Sequence, residues 1–299
     1  MTTGTEEKTE TAEMSLIEFL CNFNRSLLMK PTDDELDKRI SQFLKTKDSS
    51  KGRKPGLHVS MFSDPCMRRL VLHVMNPDLK DTAPPNKLQR IFDCGTSTHH
   101  WFQEDYLGPM GILEGTWQCS GCGKKVDGAM PDKPCDTELE PPPWDAQIAS
   151  CADLHSHWRF LEPRVQLEHA GLTVVGSCDG ILNLSGKRSV LEMKTKDSKL
   201  FAELLKPEIG HVVQGSLYSI KLGLDTVTIV YIEKNEWKLK VYQVPVEPWV
   251  LEWFTGMMGQ VASLVKTGDY RIAPLKCANK DASRAMRCGA RQLCFPKKK

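Results

Sequence analysis

Apolar residues recur at helical spacing over residues 15–28 and 33–45, and in the second stretch Leu36, Ile40, Phe43 and Leu44 share one face. Thr32-Asp33-Asp34 supplies an N-cap for that second helix. The same spacing predicts helices over 60–75 and 87–106, the latter carrying the run CGTSTHHWFQ. Residues 1–13 are acidic and lack apolar periodicity, which predicts a disordered tail. Residues 47–56 read as a basic loop. Residues 116–144 are rich in Gly, Pro and Cys and end in Pro141-Pro142-Pro143, which predicts an insert closed by an exposed linker. The centre of the chain changes character. Residues 164–169, 177–184 and 189–194 read as strands, with Ser185-Gly186-Lys187 as a hairpin turn. Helices are expected over 199–205 and 208–222. A second hairpin, 226–233 with 237–244, turns at Lys234-Asn235-Glu236, and a last helix covers 248–266. Strands and helices interleave without βαβ repetition, which predicts an α/β fold with a mixed central sheet flanked by helices.

The resulting organisation is a tail (1–13), a helical region (14–115), a cysteine-bearing insert (116–144), a core (145–266) and a basic C-terminal segment (267–299). A chain of 299 residues is long enough for one large domain with insertions. With 40% apolar and 26% charged residues, its composition is that of an ordinary globular protein. No apolar run reaches the roughly 18 residues a membrane helix needs. The start, MTTGTEEKTETAE, does not read as a secretory leader, so a cytoplasmic protein is expected. The net charge of +2 conceals an asymmetry: residues 1–13 carry four Glu and one Lys, whereas residues 276–299 carry eight Lys or Arg and one Asp. A basic tail suits a polyanion such as nucleic acid, although such runs are often only solvated ends.

The stretch GSCDGILNLSGKRSVLEMKTKD carries the chemistry. Residues two apart on a strand face the same way, so Glu192 and Lys194 share a face while Leu191 and Met193 take the other. A tight hairpin brings Asp179 beside Glu192. Two close carboxylates repel unless a cation lies between them. A hard ion such as Mg²⁺ prefers those oxygens, and a lysine beside it can act on water or on a developing phosphate charge. An ordinary surface salt bridge would use the same three residue types.

Asp179 with Glu192-Met193-Lys194 resembles the core motif of the PD-(D/E)xK nuclease superfamily, and within it the RecB-like exonucleases. Gly95, His99 and Gln103 match that family's G-x-x-x-H-x-x-x-Q helix, and Gln214 and Tyr218 its Q-x-x-x-Y helix. The resemblance spans residues 60–294. It implies a restriction-endonuclease-like core and a DNA exonuclease working in recombination, repair or replication, in a viral setting. It implies Mg²⁺ or Mn²⁺ held by His99, Asp179, Glu192 and the Met193 backbone carbonyl, and water activated by Lys194. Gln214 and Tyr218 would steer the strand, in a groove lined by Arg68, Arg69 and the tail. The implied partners are single-stranded DNA or duplex ends, with a helicase, a recombinase or a single-strand-binding protein. A non-catalytic nucleic-acid-binding module and a CRISPR-adaptation nuclease are the competing readings.

The chain holds 11 cysteines, and clustered cysteines in a cytoplasmic protein bind metal more often than they pair. Cys119-x2-Cys122-x12-Cys135 has the form of a zinc knuckle, with glycine allowing the tight turn. Glu138 stands where a closing cysteine would be, so the fourth ligand is Glu138, Cys151 or His155, or the site holds no metal. Cys66, Cys277, Cys288 and Cys294 form a second set. Four thiolates can hold a [4Fe–4S] cluster, and one cysteine before the core with three after it resembles the iron–sulfur staple of RecB-like nucleases in CRISPR adaptation and of the AddB subunit. The interval Cys277-x10-Cys288 departs from the family's usual C-x2-C.

Overall fold

The computed structural model describes residues 39, 42, 56–79, 86–139, 150–153, 156–286 and 288–296. The expected tail 1–13, the helix 15–28, most of the helix 33–45 and the triple-proline linker lie outside these residues. The chain divides into two units, Met1–Ser49 and Ser50–Lys299, and the second contains every element below.

That unit opens with β1 (Leu57–His58), a 3₁₀ turn (Val59–Phe62) and α1 (Met67–Met75). One continuous helix was expected over 60–75. Pro65 instead disfavours helical backbone at Asp64, and the helix restarts with Cys66 at its N-cap. Next come α2 (Asn86–Phe102), which runs into a π-helical turn (Gln103–Leu107), β2 (Leu113–Cys119) and β3 (Lys125–Ala129). The central strands are β4 (Trp158–Leu161), β5 (Arg164–His169), β6 (Leu172–Ser177), β7 (Gly180–Leu184) and β8 (Lys187–Lys196). The chain closes with α3 (Ser198–Glu203), α4 (Ile209–Leu222), β9 (Thr226–Glu233), β10 (Leu239–Pro245), α5 (Pro248–Thr267), and the short α6 (Ser283–Met286) and α7 (Arg291–Cys294).

Two sheets result. The smaller has the order β1-β6-β5. The larger runs β10-β9-β8-β7-β2-β3, with β4 paired to β2. The larger sheet is mixed, because β8 and β9 run parallel while its other pairs are antiparallel. The parallel pair needs a crossover, and α3 and α4 supply it. Helices flank the sheet as expected. The stretch expected as an insert, 116–144, starts within β2, whose Thr116 and Cys119 pair with Leu161 and Trp158 of β4.

The β7–β8 hairpin closes through Ser185 (φ 53°) and Gly186 (φ 84°), a pair of left-handed residues that matches the twist of the strands it joins. The single strand expected over 177–184 is broken at Cys178-Asp179. There the chain leaves the small sheet and enters the large one. Gly180 takes φ 146°, and a Cβ on it would lie 2.4 Å from Leu113 Cδ1, so only glycine fits the swing.

Burial follows the strand pleat. Leu191 and Met193 pack with Leu113, Trp117, Phe160, Val230 and Ile232 on one face of the large sheet. Val227, Ile229 and Tyr231 pack with Phe201, Leu204 and Val212 on the other. A third core joins the small sheet to α1, α4 and α5, around Phe62, Leu217 and Phe254. No helix among the described residues is long and apolar enough to cross a membrane.

Candidate active site

The break at Cys178-Asp179 places Asp179 beside β8. Its Oδ2 accepts from the Met193 backbone N–H at 2.5 Å, and its Oδ1 lies 3.4 Å from His99 Nδ1. Glu192 and Lys194 point to the face opposite Leu191 and Met193, as the strand pattern requires. Lys194 Nζ forms an ion pair with Glu192 Oε1, the contact that compensates this buried carboxylate. Glu192 is 1% exposed. The structure therefore brings His99, Asp179, Glu192 and Lys194 together.

The charges respond to this crowding. Burial pushes the Glu192 carboxyl up to about 7, with the Asp179 charge adding to the rise and Lys194 opposing it. Asp179 is also buried, but His99, Lys194 and the Met193 N–H hold it below the usual carboxylate range. Burial pulls His99 down, and its contact with Asp179 more than offsets this, leaving it raised. Lys194 is raised by Glu192 and Asp179 against the effect of burial, so it stands as an ammonium. Two neighbouring carboxylates of unlike affinity for protons, with a histidine ring nitrogen beside one of them, fit a hard divalent cation.

Two supporting groups carry no role in the sequence reading. Gln103, buried at the π turn, donates from Nε2 to the Asp179 carbonyl at 2.7 Å. The motif spacing singled it out without giving it a partner. Glu162 lies near Asp179, His99 and His100, accepts from Ser177 Oγ at 2.7 Å, and is raised by burial and then by the Asp179 charge. No local pattern marks it.

Gln214 and Tyr218 lie one turn apart on α4, with Gln214 Nε2 donating to Tyr218 Oη at 3.4 Å. Tyr218 is 2% exposed and its ring packs against Gly176, so it lies behind the site with no open face for a strand. Burial drives its phenol above the ordinary range. Arg68 is engaged within the chain. Its guanidinium donates to the Ala273 and Arg271 carbonyls at 2.7–2.9 Å and is committed to holding the C-terminal segment.

Cys119, Cys122, Cys135 and Cys151 form a group that could hold a metal ion, all four sulfurs lying within 4.8 Å of one another. Cys122 and Cys135 Sγ are 3.7 Å apart, close to the roughly 3.8 Å that a tetrahedral site with Zn–S bonds of about 2.3 Å requires. Glu138 is corrected as the fourth ligand. It is exposed, and its strand bridge to Ser150 delivers the neighbouring Cys151 to the knuckle. Cys151 N donates to the Thr137 carbonyl at 3.0 Å. His155 lies outside the described residues. Burial works against a Cys119 thiolate, but Ser156 and the N–H groups of Cys122 and Gly121 bring it down to about 6. Burial, then Cys122 and Cys119, push Cys151 up to about 12.

In the second cysteine set, Cys66, Cys277 and Cys288 lie near Cys294. Burial, then Cys288, raises the Cys294 thiol to about 11; Arg68 opposes this, and Cys66 and Cys277 add to it. Among the described residues the knuckle is the one group whose sulfurs all lie within 4.8 Å of one another, so this second set is looser. Lys276 and Arg284 both pair with Asp64, which binds the C-terminal segment to the Cys66 loop, and within that segment Tyr270 Oη donates to the Leu293 carbonyl at 2.9 Å. The donors are soft thiolates, which suit an iron–sulfur cluster.

No protein-family profile matches the chain, and no curated protein does. Among solved structures it is similar to the protein SSO0001, at 13% identity and a TM-score of 0.43 over 89% of this chain and 99% of that one. It is also similar to an alkaline exonuclease (LHK-Exo) from Laribacter hongkongensis, at 12% identity and a TM-score of 0.42 over 73% of this chain and 91% of that one. Likeness this distant assigns no activity.

Proposed function

We propose that the chain is a metal-dependent DNA exonuclease of the PD-(D/E)xK, RecB-like kind, with a restriction-endonuclease-like core. The observation that carries this reading is the buried Glu192 carboxylate beside Asp179, with His99 and Lys194 at the same point. Mg²⁺ or Mn²⁺ would be held by Asp179, Glu192, His99 and the Met193 carbonyl, and would supply Lewis acidity at the scissile phosphate. Lys194 donates from its ammonium to the non-bridging oxygens where charge develops. Gln103 and the Met193 N–H hold Asp179 in place. Gln214 and Tyr218 support the site from behind.

The four-cysteine knuckle is proposed as a structural zinc site. Four protein ligands leave no open position for chemistry. Cys66, Cys277, Cys288 and Cys294 are proposed to hold a [4Fe–4S] cluster that fastens the C-terminal segment to the start of α1. A role in recombination, repair or replication, working with a helicase, a recombinase or a single-strand-binding protein, follows from the same reading.

The test uses end-labelled single- and double-stranded DNA with Mg²⁺, Mn²⁺ or EDTA, comparing anaerobically purified wild type with Glu192→Ala. Metal-dependent loss of label, absent in the variant, supports the proposal. Binding without cleavage under every condition removes it in favour of a non-catalytic module.

A further inference from the structure

Aromatic rings gather at the surface where the end of α2 meets the β9–β10 turn. Trp101 lies 5.0 Å from Trp237 and 4.6 Å from Tyr106, both edge-on, and Phe102 stacks on Tyr106 at 5.8 Å. Trp101, Tyr106 and Trp237 are 37%, 46% and 49% exposed, so this is not a buried core.

Trp237 is the informative member. It adopts φ 59°, a left-handed conformation that hairpin turns usually give to Gly or Asn. Its half-exposed ring recovers little burial in return. The turn around it is firmly built. The Glu233 carboxylate accepts from the N–H groups of Asn235 and Glu236 and from the Ser198 hydroxyl, and Trp237 N donates to the Glu233 carbonyl at 3.1 Å. Strain held in place by a rigid frame, with a ring that meets only the edge of Trp101 and stays half exposed, marks a side chain kept outward for a ligand.

The platform adjoins the candidate active site. Lys194 pairs with Tyr231 and Lys196 with Glu233, and the Lys196 carbonyl accepts from Lys234 N at 3.0 Å. The turn therefore starts where β8 ends, about 7 Å along the strand from Lys194. Trp101 follows His99 by two residues on α2 and so takes a different face of the helix from that histidine; the platform meets the site through the end of β8. Lys194, Lys196, Lys234 and Lys238 lie along this edge, with Glu208 and Glu236 as the counter-charges of Lys196 and Lys238.

We propose that Trp101, Tyr106 and Trp237 form a stacking platform for the unpaired bases of a DNA strand whose backbone reaches Asp179 and Glu192, which makes single-stranded DNA the substrate. This rests on the nuclease reading of that site. Unpaired bases offer free faces to tilted rings, and lysines beside the rings suit the backbone. A duplex keeps its base faces covered along its length.

Fluorescent oligo(dT) and a duplex of equal length are titrated in EDTA, where cleavage does not interfere. Trp101→Ala and Trp237→Ala are expected to raise the Kd for oligo(dT) about tenfold, with Trp237→Phe near wild type and duplex binding little changed. Trp237→Gly relieves the φ strain and should fold at least as well, so its loss of binding is not loss of fold. Wild type that does not bind oligo(dT), variants that bind it normally, or equal losses for duplex and single strand would overturn the proposal. Wild type that binds oligo(dT) through Trp237 yet cuts nothing in Mg²⁺ or Mn²⁺ leaves the platform standing and removes the nuclease reading.

Discussion

Asp179 Oδ2 accepts a 2.5 Å hydrogen bond from the backbone N–H of Met193, which ties the point where the chain passes between sheets to the strand carrying Glu192 and Lys194. Asparagine at 179 keeps an oxygen for that N–H but loses the charge. Asp179→Asn is expected to retain the fold, with an unfolding midpoint close to wild type, and to lower cleavage by about 100-fold or more. Circular dichroism beside a timed nuclease assay checks both halves. Near-normal cleavage would remove Asp179 from the site.

Gln103 acts through Asp179 and is a positioning residue. Gln103→Leu removes the hydrogen bond to the Asp179 carbonyl and leaves that buried oxygen without its partner, destabilising the fold by about 1–3 kcal/mol. Outer-shell losses of this kind weaken metal binding about 10- to 100-fold. The Mn²⁺ concentration for half-maximal cleavage should therefore rise, while cleavage at saturating Mn²⁺ recovers. A metal requirement equal to wild type would leave Gln103 a stability residue only.

The metal content of the knuckle distinguishes Cys151 from Glu138. With four thiolates as ligands, zinc should copurify at about one ion per chain, be lost in Cys151→Ser, and be retained in Glu138→Ala. Elemental analysis of the three proteins decides it. Zinc lost from Glu138→Ala and kept by Cys151→Ser would reverse the assignment.

Much of this was legible in the chain, and the limits have physical causes. β9 matches its sequence expectation residue for residue, since Val227, Ile229 and Tyr231 fill one face and Thr228, Val230 and Ile232 the other. The turn at Ser185-Gly186 fixed the β7–β8 register and hence the approach of Asp179 to Glu192. β1 and β4 were missed because two- and four-residue strands exist only through their tertiary partners, β6 and β2. Cys151 could not be chosen from spacing, because the Glu138–Ser150 bridge that delivers it is not a local signal. Glu162 was invisible for the same reason. Tyr218 shares a helix face with Gln214 as expected, but spacing cannot say which side of the sheet is covered, and Tyr218 lies under the small sheet.

His211 gives a pH dependence that cleavage assays would miss. It is buried on α4, with Nδ1 2.9 Å from Tyr231 Oη and Nε2 3.6 Å from Glu208. Burial, then the charge of Lys194, depresses it to about 4 against an ordinary value of 6.5, with Glu208 opposing and Lys196 adding. The folded chain therefore keeps His211 neutral where the unfolded chain protonates it. Its share of stability is complete above pH 6.5, falls as pH drops from 6.5 towards 4, and changes no further below that. The limiting slope is about 1.4 kcal/mol per pH unit. Glu208, itself depressed, withdraws stability only below its ordinary 4.5. His99, which is raised, acts above its ordinary 6.5. The interval between pH 5 and 6.5 thus isolates His211 from both. Glu192, raised to about 7, and Glu162, also raised, act with the opposite sign over the same interval, so the quantity that reports His211 is the difference between wild type and His211→Asn, whose amide can still meet Tyr231 but does not titrate: from pH 5 to 6.5 the wild-type urea midpoint should gain on that of the variant. A constant difference between the two would place the acid sensitivity elsewhere.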